Sequence, residues 1–211
     1  MTEPEGTRRE QQADATQAHV AQVAMSLFAE HGFSATSTRK IAQAAGVSEG
    51  LIFHHFGSKL GLLVGAARRA KVLSEHIVTA VTSGQDAPVE IQLREIARGF
   101  ITFLRSDRLE TRLFRVLMAE ASTNPDLYAL QQERTRLVTT VLAAYIRSRI
   151  ETGELRPDLV PEAAAQVLLG SFLWYFLTHL HLTPEEWAEQ AGVFADAVID
   201  QWLRGARVEA S

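Results

Sequence analysis

Three groupings of side chains in this chain are of a type that could do chemistry: the adjacent His54 and His55, the pair His179 and His181 in THLHL, and the cations Arg39, Lys40, Lys59, Arg68, Arg69 and Lys71. Two helical histidines chelate one ion when they are spaced four apart and share a face. Neighbours project about 100° apart, and residues two apart point to nearly opposite sides, so neither pair is a good chelate. His179 keeps two readings, a ligand-pocket residue or a satisfied helix-end histidine. The chain has no cysteine, which removes disulfides, thiolate nucleophiles and cysteine-based zinc sites. No nucleophile–base pair, phosphate-binding glycine loop or metal-ligand spacing supports catalysis, so neither an enzyme nor a metal or cofactor is expected. The cations fit a polyanion. Between residues 31 and 71 they face only Glu49, whereas the whole chain carries a net charge of −4. A basic segment on an acidic body either meets a polyanion or forms a solvated charged face.

The elements that must carry these residues are helical. Apolar residues recur at helical spacing with no alternating strand pattern, which predicts an all-α fold of about nine helices. Val20, Val23, Ala24, Leu27 and Phe28 make a stripe on a helix near 14–31, which EHGF closes with Gly32. A short helix near 38–45 follows, with Ser37 and Thr38 as N-cap candidates and Gly46 as its stop. Ser48 can cap a third helix near 49–55, and a longer fourth helix begins after Gly57 and Ser58 and runs to TSGQDAP. Further helices are predicted near 88–105, 108–122, 125–152, 161–181 and 184–204, with Pro125, Pro161 and Pro184 suited to first turns. The polar N-terminus MTEPEGTRREQQADATQ lacks the apolar core of an export signal and reads as a disordered arm over 1–13, before a domain at 14–58 and a helical body at 59–205. The run AAAQVLLGSFLWYFLTHLHL has nearly membrane-spanning length, but Gln166, Ser171, Thr178, His179 and His181 interrupt it. It is expected to be a buried helix, with no membrane partner and a cytoplasmic location.

Two short helices joined by a three-residue turn containing Gly46 make the corner that can place a recognition helix in the major groove. Many helical proteins contain such a corner purely for packing. The particular residues decide between these readings: FAEHGFSATSTRKIAQAAGVSEGLIFHHFGSKLGLL resembles the N-terminal signature of the tetracycline-repressor (TetR) family of bacterial regulators, without a gap over residues 20–64. The remaining two thirds resemble that family only in helix count and length. The resemblance implies an N-terminal three-helix DNA-binding unit with a helix-turn-helix, a larger helical effector-binding and dimerisation body, and a homodimer. It implies a regulator, most simply a repressor, that binds a palindromic operator in double-stranded DNA and leaves it when a small-molecule effector binds.

Carried across position by position, the family's DNA-facing residues fall on Thr38, Ser48, Glu49, Gly50, Leu51, Phe53, His54, His55 and Lys59, with the cations Arg39 and Lys40 alongside. Three positions depart from the usual pattern. Glu49 stands where a small polar residue or a Lys is common, and has two readings: accepting from a cytosine amino group, or stabilising the helix start through the helix dipole. Phe53 keeps a stacking surface but has no hydroxyl donor. Leu51 offers only apolar contact, such as with a thymine methyl. The family's effector cavity would draw on the body's aromatic and polar residues, giving Phe100, Phe103, Phe114, Arg115, Met118, Tyr145, Trp174 and His179, with Glu120 as a further orienting group. VLLGSFLWYFL is apolar nearly all round and the next helix adds apolar residues at helical spacing, more surface than one subunit covers. Phe172, Phe176, Trp187, Phe194, Val198 and Trp202 are accordingly the expected dimer interface, a four-helix arrangement across a twofold axis.

Overall fold

The computed structural model describes residues 5–69, 73–84, 86–106 and 109–207. Among these the protein is all-α, with ten helices: α1 Glu5–His31, α2 Thr38–Ala45, α3 Glu49–Phe56, α4 Lys59–Arg69, α5 Leu73–Ser83, α6 Val89–Arg105, α7 Leu109–Ala121, α8 Pro125–Glu151, α9 Pro161–Thr178 and α10 Pro184–Ala206. The tenth arises because the expected long fourth helix is present as α4 and α5, on either side of residues 70–72, which lie outside the described residues together with Lys71. The first helix begins at Glu5 rather than near residue 14, so most of the segment read as an arm is helical. Its Glu, Gln and Ala residues are good helix formers even without an apolar face, which is why apolar periodicity missed them. Among the described residues the only β pairing is an isolated antiparallel bridge between Leu155 and Arg207.

The helices divide into two packing units. The first holds 1–71 and 107–131, the second 72–106 and 132–211. The unit containing the three N-terminal helices thus also takes in α4 and α7, beyond the boundary read at residue 58. In it α1 packs on α2, α4 and α7, and α3 packs on α2 and α4. Phe28, Ile41, Ile52, Leu62 and Leu63 are completely buried there. Thr36 is buried too, with its Oγ1 donating to the carbonyl oxygens of Gly32 at 2.8 Å and Leu27 at 3.2 Å, which ties the α1–α2 connection to the end of α1.

In the second unit α6 lies against α5, α9 and α10. Its apolar stripe of Val89, Leu93, Ile96, Ala97, Phe100, Ile101, Phe103 and Leu104 is buried. Polar anchors fix the packing. Trp187 Nε1 donates to the Ile101 carbonyl, and Gln92 Nε2 donates to the Ala80 carbonyl. Arg94 bridges Glu90 on its own helix to Asp196 and Asp200 on α10, while Arg98 also pairs with Asp196. Hydrogen bonds from Arg98 and Arg94 hold the Asp196 carboxyl below its ordinary range, against the effect of burial. At the other end of α6, Glu154 accepts from the Val89 N–H at 3.0 Å and from Arg149 at 2.7 Å. Burial pushes the Glu154 carboxyl up, but these two donors outweigh it and leave it below the ordinary value. α10 starts on Pro184 with a capping box, in which Thr183 Oγ1 accepts from the Glu186 N–H and the Glu186 carboxylate accepts from the Thr183 N–H.

Candidate nucleic-acid interface

The corner between α2 and α3 is built by its caps. Ser37 precedes α2 in an extended conformation and its Oγ accepts from the Lys40 N–H at 3.2 Å. Gly46 ends α2 at φ 67°, a left-handed geometry that glycine adopts without steric cost. Its N–H and that of Val47 return to the last carbonyls of α2, which turns the chain sharply enough for Ser48 to cap α3 by accepting from the Leu51 N–H. Residues 46–48 are therefore the whole turn, as the sequence predicts. Ile41, Ala42 and Ala45 from α2 and Ile52 from α3 face inward, and this settles which sides of the two helices remain outside.

On the outer face Arg39, Lys40, Ser48, Gly50, Phe53 and His54 are exposed, and Thr38, Glu49, Leu51, His55 and Lys59 are half-buried. Phe53 is 46% exposed, a large apolar ring held open to solvent on a helix with little other apolar exposure. The His54 and His55 rings meet edge to face at 5.2 Å, and His55 packs in turn against Phe56 at 6.3 Å. The pair thus forms a short aromatic ridge. Lys59 Nζ donates to the Ser34 carbonyl at 3.4 Å and lies 4.4 Å from the centre of the Phe33 ring. Thr38 and Glu49 are joined to each other: Thr38 Oγ1 donates to Glu49 Oε1 at 2.5 Å.

Several structural partners of this face carry no signal in the sequence by type. Phe33 and Ser34 support Lys59, and Ser58 caps α4 by accepting from the Gly61 N–H at 2.9 Å. Phe56, the last residue of α3, lies against α4 at two glycines. A Cβ on Gly65 would stand 2.8 Å from the Phe56 ring, and one on Gly61 would stand 2.0 Å from the Phe56 carbonyl oxygen. The four-residue spacing of those glycines is the one cue that could have located the joint, since it puts both on one face of α4.

The residues expected to gather round an effector are divided between the two packing units. Phe100, Phe103 and Tyr145 are buried in the second unit, where Phe100 lines an apolar void of about 10 Å³ with Leu93, Leu142, Leu168, Phe172 and Ile199. That is room for about one water molecule, far below the 300–1,000 Å³ of a typical ligand pocket. Phe114, Arg115 and Met118 belong to the first unit, where Phe114 is buried and Arg115 exposed. Trp174 is 69% exposed on α9, because the helix turns Tyr175 and Phe176 inward and leaves their neighbour outside. His179 ends α9 and stacks on Tyr175 at 4.1 Å, with Nδ1 2.9 Å from the Tyr175 carbonyl oxygen. The buried Tyr145 hydroxyl has no well-directed hydrogen bond, and the Arg149 guanidinium lies 4.9 Å from its ring. Burial pushes the Tyr145 phenol up, against the pull of Arg149.

The expected dimer residues divide in the same way. Phe172, Phe176 and Trp187 are buried in the subunit's own core, since they are the inward positions of α9 and α10 and pack on α6 and on each other. Phe194, Val198 and Trp202 are half-exposed and line an open groove of about 460 Å³ with Val167 and Ser171.

An all-α chain whose N-terminal unit displays a capped helix-turn-helix, with cations and an aromatic ridge on its outer face, is a DNA-binding protein of the helix-turn-helix class. It belongs to the TetR family of bacterial transcriptional regulators, which act by binding DNA and are not enzymes: residues 21–66 match the family described as bacterial regulatory proteins, tetR family, and residues 91–201, more than half the chain, match the C-terminal domain of AefR-like transcriptional repressors. Among curated relatives, the HTH-type transcriptional repressor AcnR of Corynebacterium glutamicum is 28% identical over 158 residues, covering 72% of this chain and 75% of its own. The crystal structure of a TetR-family regulator from Mesorhizobium loti superposes with a TM-score of 0.79 at 23% identity, over 93% of this chain and 98% of that one. The SmeT–triclosan complex superposes with a TM-score of 0.67 at 19% identity, over 93% of each chain. No described helix is long and apolar enough to cross a membrane.

Proposed function

We propose that this protein is a ligand-responsive repressor. In this reading it works as a cytoplasmic homodimer that binds a palindromic operator, and a small molecule bound in the helical body 59–205 releases it. The observation that carries the reading is the α2–α3 corner, which buries Ile41 and Ile52 while holding Phe53, His54, Ser48 and Gly50 outward. Two copies related by a twofold axis would enter successive major grooves about 34–36 Å apart. Phosphate contacts from Lys59, Arg39 and Lys40 would set register, and side chains of α3 would meet base edges. Repression is supported by the likeness to AcnR, described as a repressor, and effector binding by the fold shared with SmeT, a protein solved with triclosan.

The dimer is supported by the faces that the subunit leaves open. On α9, Val167 and Trp174 are 60% and 69% exposed, and on α10 the groove residues Phe194, Val198 and Trp202 lie beside Val193, itself exposed. Two helices with open apolar faces pair with their copies as four. An effector would lower DNA affinity only by binding a state that fits the operator poorly better than the state that fits it. The experiment is selection from a pool of randomised duplexes with the full chain, followed by sedimentation of the protein alone. A palindromic consensus and a dimer are expected; a non-palindromic consensus, or a monomer at micromolar concentration, would overturn the reading.

A further inference from the structure

Glu49 is the most chemically awkward residue on the DNA-facing surface, because an acid there is repelled by the phosphate backbone. Its carboxylate is not free. Oε1 accepts from Thr38 Oγ1, so the first residue of α3 is tied to the first residue of α2. The serines preceding the two helices are each occupied by their own helix, Ser37 with Lys40 and Ser48 with Leu51, and make no such cross-tie. The residues that α2 and α3 bury are apolar: Ile41, Ala42, Ala45 and Ile52. Apolar burial is non-directional and fixes how close two helices lie, whereas a hydrogen bond to a charged acceptor also fixes their orientation.

We propose that Glu49 is a positioning residue for DNA recognition: through Thr38 it sets the orientation of α3 on α2, and so the line on which Gly50, Phe53 and His54 meet a groove. A hydroxyl has a single proton to donate, and that of Thr38 goes to Glu49. Thr38 therefore serves the recognition helix instead of anchoring a phosphate by donation. Glu49 acts at one remove from the bases, which is compatible with its half-buried position beside the exposed Gly50 and Ser48. The proposal rests on the DNA-binding reading and needs no particular operator sequence.

The test uses the full chain. The wild-type protein selects its preferred duplex from a randomised pool, and each variant is then measured on that duplex and on a random-sequence duplex of equal length, alongside its thermal midpoint. The ratio of the two affinities is the readout, because the loss of a negative charge at position 49 strengthens binding to both duplexes alike and cancels. Glu49→Ala and Thr38→Val should each lower the ratio roughly tenfold, as expected for a hydrogen bond to a charged acceptor. The double variant should be no worse than the poorer single one. Glu49→Gln, which keeps an accepting oxygen, and Thr38→Ser, which keeps the hydroxyl, should restore most of what Ala and Val lose. The proposal is overturned by independent, multiplying losses, or by Gln performing no better than Ala, which is the helix-dipole outcome. It is equally overturned by a changed base preference at one symmetric pair of positions in Glu49→Gln, or by Thr38→Val weakening both duplexes equally. A fall in thermal midpoint with an unchanged ratio would leave the pair merely structural and also overturn it. A wild type that selects no sequence would bring down the operator reading and this one together, whereas wild-type selection with unaffected variants brings down this one alone.

Discussion

The joint between α3 and α4 depends on the absence of one carbon atom. Gly61 sits in the first turn of α4, and a Cβ there would lie 2.0 Å from the carbonyl oxygen of Phe56, a full ångström inside the 3.0 Å that real Cβ atoms respect. The obstacle is backbone, so no side-chain rotation relieves it, and Gly61→Ala must push the end of α3 away from α4. Overpacking of this kind costs about 1–3 kcal/mol. The same substitution gains about 1 kcal/mol in helix propensity, leaving a net loss of up to about 2 kcal/mol. In a chain of this size that lowers the thermal midpoint by up to about 8 °C, at 2–4 °C per kcal/mol. Gly99, inside α6 with nothing within 4 Å of its absent Cβ, supplies the control. There the propensity gain is unopposed, so Gly99→Ala should raise the midpoint by about 2–4 °C. Thermal unfolding followed by far-ultraviolet circular dichroism measures both. If Gly61→Ala raises the midpoint as much as Gly99→Ala does, the close approach of α4 to Phe56 does not constrain the molecule and the argument fails.

Lys59→Ala should weaken binding to every duplex alike and lower the salt slope by about one phosphate contact, measured by salt titration on selected and random duplexes. Trp174→Glu and Phe194→Glu should reduce the dimer fraction in sedimentation while helicity is retained, since Trp174 is 69% exposed and Phe194 half-exposed. Phe172→Glu should instead unfold the second unit, because Phe172 is only 3% exposed. Acid should act through the carboxylates of that unit. Asp196 and Glu154 have folded values held below their ordinary 3.8 and 4.5, so the stability they contribute is fully present above those values and is lost as pH falls through and below them. Thermal midpoints of wild type and Asp196→Asn between pH 6 and pH 3 should therefore converge as the pH drops; a constant gap would refute the linkage.

How much of this was legible in the sequence depended on whether the signal was local. The α2–α3 corner was readable residue by residue, because caps and turns are determined by neighbours: Ser37, Gly46 and Ser48 each act within three or four positions. The Thr38–Glu49 bond was not readable. Eleven positions separate its partners, and either side chain alone has a sufficient local explanation. The joint at Phe56 left only one local trace, the four-residue spacing of Gly61 and Gly65, and that spacing does not name the residue it lies against. The start of α1 was missed for the opposite reason, as residues from Glu5 onward are helical by propensity with no apolar stripe to mark them.

The body shows what hydrophobicity alone leaves undetermined. α9 is apolar on nearly every side, and from composition Phe172, Trp174 and Phe176 are equivalent candidates for core, pocket or interface. On the helix they are not. Phe172, Tyr175 and Phe176 follow the three- and four-residue spacing that keeps one face turned to α6, and all are buried. Val167 and Trp174 instead stand seven residues apart on the opposite side, and they are 60% and 69% exposed. A seven-residue apolar repeat is the mark of a seam between helices that run side by side. The sequence therefore held two superimposed spacings on one helix, one buried in the subunit's own core and one left exposed. Separating them requires knowing which face the rest of the subunit covers, and α6 and α10 cover only the first.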